Sequence, residues 1–275
     1  MNIQIIVSTI NNSIENLDKS LLEFENLIVV NQKPNKEDNS VIRKSINNIE
    51  WVDIDQKGLS KSRNFGLLQA NSELIYLTDD DVILGKDFKE IVISSFLKNN
   101  EADILAFQVN GINKKYKNYP EKKLRIGYLK SLKLSSVQLV IKTEFIKKNN
   151  LLYDELFGAG SLYKMGEENI FLFDSLKKKA NIKYIPLEIA QVYIGDSSWF
   201  SGYDEKYFFD RGAIFFRMFG SVAYLYSFIF CFRKKKLYKD NFSLFKAYKR
   251  ALEGIKHYRI GTRQNSNSCN TKEKL

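Results

Sequence analysis

The chain has 275 residues, 44% of them apolar, with 3 prolines and 14 glycines. Such a chain can build one substantial core with an appendage, which excludes low-complexity, collagen-like and two-large-domain organisations. Charge is uneven: residues 206–275 hold 16 Lys and Arg against 4 Asp and Glu, while the first 205 residues hold 27 against 28. This predicts a near-neutral globular body with a cationic tail. The two cysteines, Cys231 and Cys269, form no CxxC pair, which argues against a zinc or dithiol site and for a reducing compartment. The opening MNIQIIVSTINN lacks the basic start and cleavage site of a secretory signal and reads as a first strand, so a cytoplasmic location is expected.

In chain order, apolar runs rich in β-branched residues predict strands at 3–10, 27–30, 51–54, 74–77 and 104–109. Gly58 marks a turn, and 60–68 reads as a helix with Ser60 as its cap. Residues 87–97 place Phe88, Ile91, Val92 and Phe96 at helical spacing behind an acidic first turn. The basic stretch 114–130 is loosely patterned. A strand at 137–141, a loop at 157–165, a helix at 167–179 and strands at 182–185 and 189–194 follow. Short strands alternating with helices predict an α/β fold whose mostly parallel sheet is covered on both faces. Ligands are then expected at the carboxyl ends of its strands.

The acids fall at such an end. The strand at 74–77 runs into Thr78-Asp79-Asp80-Asp81, and three adjacent carboxylates repel one another unless a cation joins them. Mg²⁺ or Mn²⁺ bridging a diphosphate suits that need. On extended backbone Asp79 and Asp81 share a face, leaving Asp80 to meet a ribose or the sugar. The plainer alternative is a solvated acidic turn. A second acidic pair, Gly166-Glu167-Glu168, opens a helix where the dipole favours carboxylates. Behind the small, flexible Phe157-Gly158-Ala159-Gly160-Ser161, these glutamates either start a helix in the ordinary way or supply a general base. Lys61 and Arg63, at another helix start, either meet phosphates or form a wet basic face. Trp199, Phe200 and Trp51 are either sugar-stacking or core aromatics. His257, the only histidine, lies in the tail, so histidine chemistry is not expected.

In the tail, 213–232 is apolar and aromatic, broken by Arg217, and meets Arg233-Lys234-Lys235-Lys236. Its uncharged run 218–232 is shorter than the roughly 20 residues that span a bilayer. It suits a helix lying among lipid headgroups, or a buried core helix. A nucleic-acid tail needs no such apolar segment, and no nucleic-acid partner is expected.

The runs GLSKSRN at 58–64, TDDDV at 78–82, GAGS at 158–161 and GEEN at 166–169, in this order and spacing, resemble GT-A glycosyltransferases of family 2 over roughly residues 1–200. Tyr207-Phe208-Phe209-Asp210-Arg211-Gly212 resembles a bacterial surface-polysaccharide branch of that family. The resemblance implies a GT-A, Rossmann-like domain over 1–201, with a nucleotide-sugar half at 1–110 and an acceptor half at 111–201. Residues 202–275 would then form a basic amphipathic helical tail on the membrane surface. It implies an inverting, Mn²⁺- or Mg²⁺-dependent transfer, with Glu168 as general base and Glu167 beside it. Thr9, Asn31, Lys61, Arg63, Asp79 and Asp80 would bind the donor, Asp79 and Asp81 the metal, and Gly160 and Trp199 the acceptor. The implied partners are a nucleotide sugar, a lipid-linked saccharide of surface-polysaccharide or capsule synthesis, and the inner face of the cell membrane. Three features depart from the family pattern. The acidic motif also aligns one residue earlier, with Thr78 at its first acidic position. Val30-Asn31-Gln32-Lys33 stands where many members have an Asp-Asp-Gly-Ser run, and no histidine lies near 194–199, where Asp196 is the nearest substitute. A sugar nucleotidyltransferase is disfavoured because no glycine-rich, arginine-containing loop follows the first strand. A non-catalytic assembly scaffold is the other alternative.

Overall fold

The computed structural model describes residues 1–34, 41–46, 49–194, 202–240 and 242–272, with side chains described up to residue 262 apart from that of residue 46. Along the chain run β1 (Ile3–Ile10), α1 (Lys19–Leu22), β2 (Leu27–Gln32), β3 (Ile42–Ile46), β4 (Ile49–Ile54), α2 (Leu59–Gln69), β5 (Leu74–Asp79), β6 (Val82–Leu84) and α3 (Phe88–Lys98). There follow β7 (Ile104–Gly111), β8 (Leu124–Arg125), α4 (Tyr128–Ser131), β9 (Leu139–Lys142), α5 (Thr143–Asn149), α6 (Glu167–Lys177) and β10 (Ile182–Val192). Then come α7 (Glu205–Phe219), α8 (Ala223–Lys234) and α9 (Leu244–Lys272).

The chain divides into two compact units: residues 1–161 with 167–195, and residues 162–166 with 196–275. In the first, the sheet runs β3-β4-β2-β1-β5-β9-β7-β10-β6, with β8 beside β10. The expected parallel character holds for β4-β2-β1-β5 and for β7 with β10. The sheet as a whole is mixed, because β9 runs antiparallel between β5 and β7 and the edges β3 and β6 are antiparallel too. The two strands expected at 182–185 and 189–194 are one strand, β10, whose register slips between Tyr184 and Ala190.

Alternation along the strands gives each face its own core. Ile5 and Val7 of β1 face one way, with Tyr76, Phe88, Val92 and Phe96. Ile6 faces the other way, with Leu67, Phe145, Phe171 and Leu172. The helix after Gly58 differs from expectation at its start. Gly58 itself is the cap, without a side-chain bond, and Ser60 sits inside the first turn. Its hydroxyl donates to the Phe157 carbonyl at 2.6 Å, so it cannot serve its own helix end.

In the second unit, α7, α8 and α9 pack on one another. Asp204 caps α7 by accepting from the Tyr207 amide. Asp210 is fully buried, paired with Lys206, and accepts from the Lys164 amide at 3.0 Å. Tyr163 bonds His257 at 2.9 Å, and Lys206 donates to the Leu162 carbonyl at 3.0 Å. These bonds hold the segment 162–166 in the helical unit. α7 and α9 meet backbone to backbone: a Cβ on Gly212 would lie 1.9 Å from the Ala251 carbonyl oxygen, and one on Gly254 1.9 Å from that of Phe209. Gly212→Ala must therefore separate the helices. The expected result is a loss of about 1–3 kcal/mol, the range for overpacking, read as a lower midpoint in a circular-dichroism melt. An unchanged midpoint would mean that the helices slide apart without cost.

Candidate active site

The acids stand at the carboxyl end of β5, but the strand stops at Asp79, and Asp80 and Asp81 lie in the turn before β6. Alternation no longer governs them, so the expected pairing of Asp79 with Asp81 on one face of extended backbone does not apply. Each takes a different surrounding. Asp79 accepts from Arg63 Nη2 at 3.3 Å. Asp80 accepts from the Thr9 hydroxyl and, at 2.6 Å, from Asn12 Nδ2. Asp81 is exposed, and its carboxyl is pushed up to about 6 by local desolvation and by the charges of Asp79 and Asp80. Burial also raises the Asp79 carboxyl; Arg63 opposes that shift, and Glu168 and Asp80 add to it.

Arg63 is the centre of this arrangement. It is 1% exposed, with its guanidinium 3.3 Å from Asp79, 3.4 Å from Glu167 and 3.9 Å from Glu168. It also donates to Ser136 Oγ at 2.8 Å and lies over the Tyr153 ring, 5.5 Å from its centre. Burial works against its charge, and the carboxylates of Asp79, Glu168 and Glu167 more than restore it. A buried cation of this kind needs such partners, since an unpaired charge away from water is costly. Neighbouring residues of the same helix serve the same junction. Asn64 donates to the Tyr153 carbonyl at 2.9 Å and accepts from its amide at 2.7 Å, while Ser60 holds Phe157. Lys61 remains half-exposed in the first turn of α2.

The two glutamates at the start of α6 differ in access. Glu167 is buried, its side chain 7% exposed and paired with Arg63, and burial and the Glu168 charge push its carboxyl well above the carboxylate range. The Glu168 side chain is 25% exposed. The glycine loop packs over the buried member: Gly158 has φ +109°, and a Cβ there would sit 3.2 Å from the Glu167 carboxyl carbon. Gly160 is exposed on one side and lies against the Gly58 backbone on the other.

At the neighbouring strand ends Asn31 is fully buried; it donates to Asp53 Oδ1 at 2.8 Å and accepts from the Asn12 amide at 3.1 Å. Asp53 lies opposite Asn31 in the register of β2 with β4, and it also binds Trp51 Nε1 at 2.9 Å and Lys33 at 3.2 Å. Burial opposes its charge, and these three donors outweigh burial, holding its carboxyl below the usual value. Trp51 is thus a core residue, 5% exposed, rather than a sugar platform. Asp53 escaped sequence reasoning, although an acid inside the apolar run Ile49-Glu50-Trp51-Val52-Asp53-Ile54 was its signal.

Also unforeseen were residues of the loosely patterned stretch 114–130 and of the turn that follows it. Lys117 donates to Ser135 Oγ, Gln138 Oε1 and the Lys133 carbonyl at 3.0, 2.6 and 3.0 Å. These contacts hold the turn that carries Ser136 against Arg63. Burial pushes the Lys117 ammonium down to about 8, against the pull of Glu168. No motif marks one lysine in a basic run. Trp199, Phe200 and Asp196 lie outside the described residues. Among the described residues, no three His, Cys, Asp or Glu side chains converge as a ready metal cage.

The family model described as Glycosyl transferase family 2 matches residues 4–167, more than half of the chain. Of solved structures, S. aureus TarS 1–349 aligns with a TM-score of 0.57 at 18% identity, covering 88% of this chain and 74% of that one. The same TarS fragment in complex with UDP-GlcNAc aligns with a TM-score of 0.59 at 17% identity, covering 92% of this chain and 80% of that one. At such identities the likeness is one of fold. No curated protein matches the chain. The family match runs from β1 through the Arg63, Asp79–Asp81 and Glu167 positions, and the chain belongs to glycosyl transferase family 2, a glycosyltransferase with a GT-A fold.

Proposed function

We propose that the chain transfers a sugar from a nucleotide-sugar donor to a saccharide acceptor with inversion at the anomeric carbon. The acceptor oxygen forms the new bond to that carbon while the bond to the diphosphate breaks, and Glu168 takes the acceptor's proton. The observation that carries this reading is the unequal pair at the start of α6: Glu167 is buried against Arg63, and Glu168 beside it is reachable from solvent. A base must reach its proton, so accessibility favours Glu168. The likeness to TarS bound to UDP-GlcNAc supports a nucleotide-sugar donor.

A divalent cation, Mn²⁺ or Mg²⁺, fits the donor set. Asp81 is open and destabilised by its neighbours' charges, Asp79 stands at the strand end, and such ions are held by one or two carboxylates plus substrate phosphates. When bound, the ion would supply charge neutralisation for the leaving diphosphate. The donor side would lie in 1–110, with Lys61 and Asp80 next to the nucleotide sugar and the buried Thr9 and Asn31 behind them, Thr9 on Asp80 and Asn31 on the Asn12 backbone. The acceptor side would lie in 111–201, with Gly160 and Trp199. We further propose a lipid-linked saccharide of bacterial surface-polysaccharide synthesis as acceptor, met on the cytoplasmic face of the membrane.

The test is calorimetric binding of sugar nucleotides, UDP-GlcNAc first, in Mn²⁺ and in chelator, together with release of nucleoside diphosphate. Failure of every sugar nucleotide to bind, in Mn²⁺ and in chelator alike, would remove the donor assignment. Asp81→Asn is expected to lose the Mn²⁺-dependent part of donor affinity with the melt unchanged. A carboxyl near 6 is protonated below that pH, so the same Mn²⁺ effect should weaken as pH falls through about 6 in the parent protein and not in the variant. Equal Mn²⁺ enhancement in both proteins would take the metal away from Asp81.

A further inference from the structure

We propose that the outward face of α8, with the basic residues at its end, is a docking surface for an anionic lipid bilayer, lying along it rather than crossing it. The helix has two unlike sides. Ala223, Ser227 and Cys231 are buried, spaced four apart, and Tyr238 closes the far end by donating to the Cys231 carbonyl at 2.6 Å. On the opposite side Leu225, Phe228, Ile229 and Phe232, at i, i+3, i+4 and i+7, are 58%, 44%, 40% and 62% exposed. That spacing makes one continuous apolar stripe. Packing within the helical unit therefore uses one side of α8 and leaves large apolar side chains in water on the other.

The charges beside the stripe identify its occupant. Arg233, Lys234, Lys235 and Lys236 follow it directly, and Asp240 is the only acid between Met218 and Leu252. Elsewhere in this unit Lys206 pairs with Asp210, Lys246 and Arg250 with Glu205, and Arg250 with Glu253. Arg233 to Lys236 form no ion pair among the described residues. An apolar stripe flanked by unneutralised cations matches the acyl boundary and anionic headgroups of a membrane. The helical stretch Glu205–Leu237 is long and apolar enough to cross a bilayer by length and composition. Yet the α7 part commits Phe208, Ala213, Ile214 and Phe215 to the interior of the unit, with Gly212 against α9. Insertion would require that packing to be undone.

This deepens the membrane reading given above and rests on it only for which face of the membrane is met. The experiment is flotation of the full chain with vesicles of phosphatidylcholine alone and of phosphatidylcholine with phosphatidylglycerol, with sugar-nucleotide hydrolysis measured in parallel as the catalytic control. The expected result is binding to the anionic vesicles, weakened by about 1 M salt and released by an alkaline carbonate wash. Phe228→Ser/Phe232→Ser should cut binding at least about tenfold, and Arg233→Gln/Lys235→Gln/Lys236→Gln by something on the order of 100-fold. The charge triple alters only exposed side chains, so its melting and hydrolysis should stay at parental values; Phe228 also meets the Tyr248 ring edge-on at 5.5 Å, and if the aromatic pair fails to fold, the charge triple decides. Absence of vesicle binding, or equal binding by the charge triple, overturns the proposal. Retention through carbonate would mean insertion instead. A parental dimer that the aromatic pair converts to monomer without vesicle binding would make the stripe a contact between copies.

Discussion

Glu168→Gln should lower sugar transfer by roughly 10²-fold or more while leaving donor affinity near the parental value, because a carboxamide keeps the size of the side chain but cannot accept the acceptor's proton. The two neighbouring glutamates make the comparison sharp. Glu167→Gln replaces a buried carboxyl group, already pushed towards its neutral form, by a neutral amide of the same size that Arg63 can still contact, so both the melt and turnover should change little. Glu168 is 3.9 Å from the guanidinium and partly in water, and its removal should scarcely move the midpoint, since a helix-start charge is worth about 0.3–1 kcal/mol. The measurement is steady-state transfer with calorimetric donor affinity on both variants. Full transfer by Glu168→Gln refutes the base assignment, and a larger turnover loss in Glu167→Gln moves the role to that residue.

Arg63→Met should be strongly destabilising. It leaves Glu167 buried without its cation and deprives Asp79 of its partner, and breaking a buried pair from one side costs about 3–5 kcal/mol. At about 2–4 °C per kcal/mol for a unit of this size, the midpoint should fall by roughly 10 °C. Activity should fall further than the folded fraction explains, because the same guanidinium sits beside Asp79, Glu167 and Glu168. Arg63→Lys keeps the charge but cannot spread three directions of donors, and should lie between the two. The double variant Arg63→Met/Glu167→Gln should recover part of the stability lost in Arg63→Met, since removing both partners of a buried pair costs less than orphaning one. If Arg63→Met melts like the parent, the interior pairing carries no energetic weight.

Many strand positions were legible because burial on both faces writes itself as uninterrupted β-branched runs. β1 matches its expected limits at both ends, and β2, β4, β5 and β7 include their expected cores. The edges were not legible. β3, Ile42–Ile46, is polar on its open side, and β6 has only three residues, too few for a pattern to form. The site shows the same division. Three acids at a strand end and two at a helix start stand out in one dimension, and so do glycines around Ser161. Arg63 stood out only as a basic residue near a helix start, where a wet face and a phosphate contact were equally good readings.

By itself, the order of residues determined the central buried strands, where carboxylates gather, and that charge concentrates after residue 206, because each of these is a local property of neighbours along the chain. Tertiary structure alone decided that Arg63 points into the interior, since the enclosing groups come from Asp79, Ser136, Tyr153 and Glu167, which lie up to 104 positions from it. It decided likewise that Trp51 is core, that Asp53 is held by Asn31 across two strands, and that Ser60 serves the Phe157 carbonyl rather than its own helix end. In the helical unit, composition alone favoured a lipid-facing helix over 213–232 and left a core helix as the alternative. Packing divided that stretch, with α7 turned inward against α9 through Gly212, and one stripe of α8 left in water. The reason is common to all these cases: hydrophobicity states how much surface must be covered, and only the meeting of distant segments determines which surface that is.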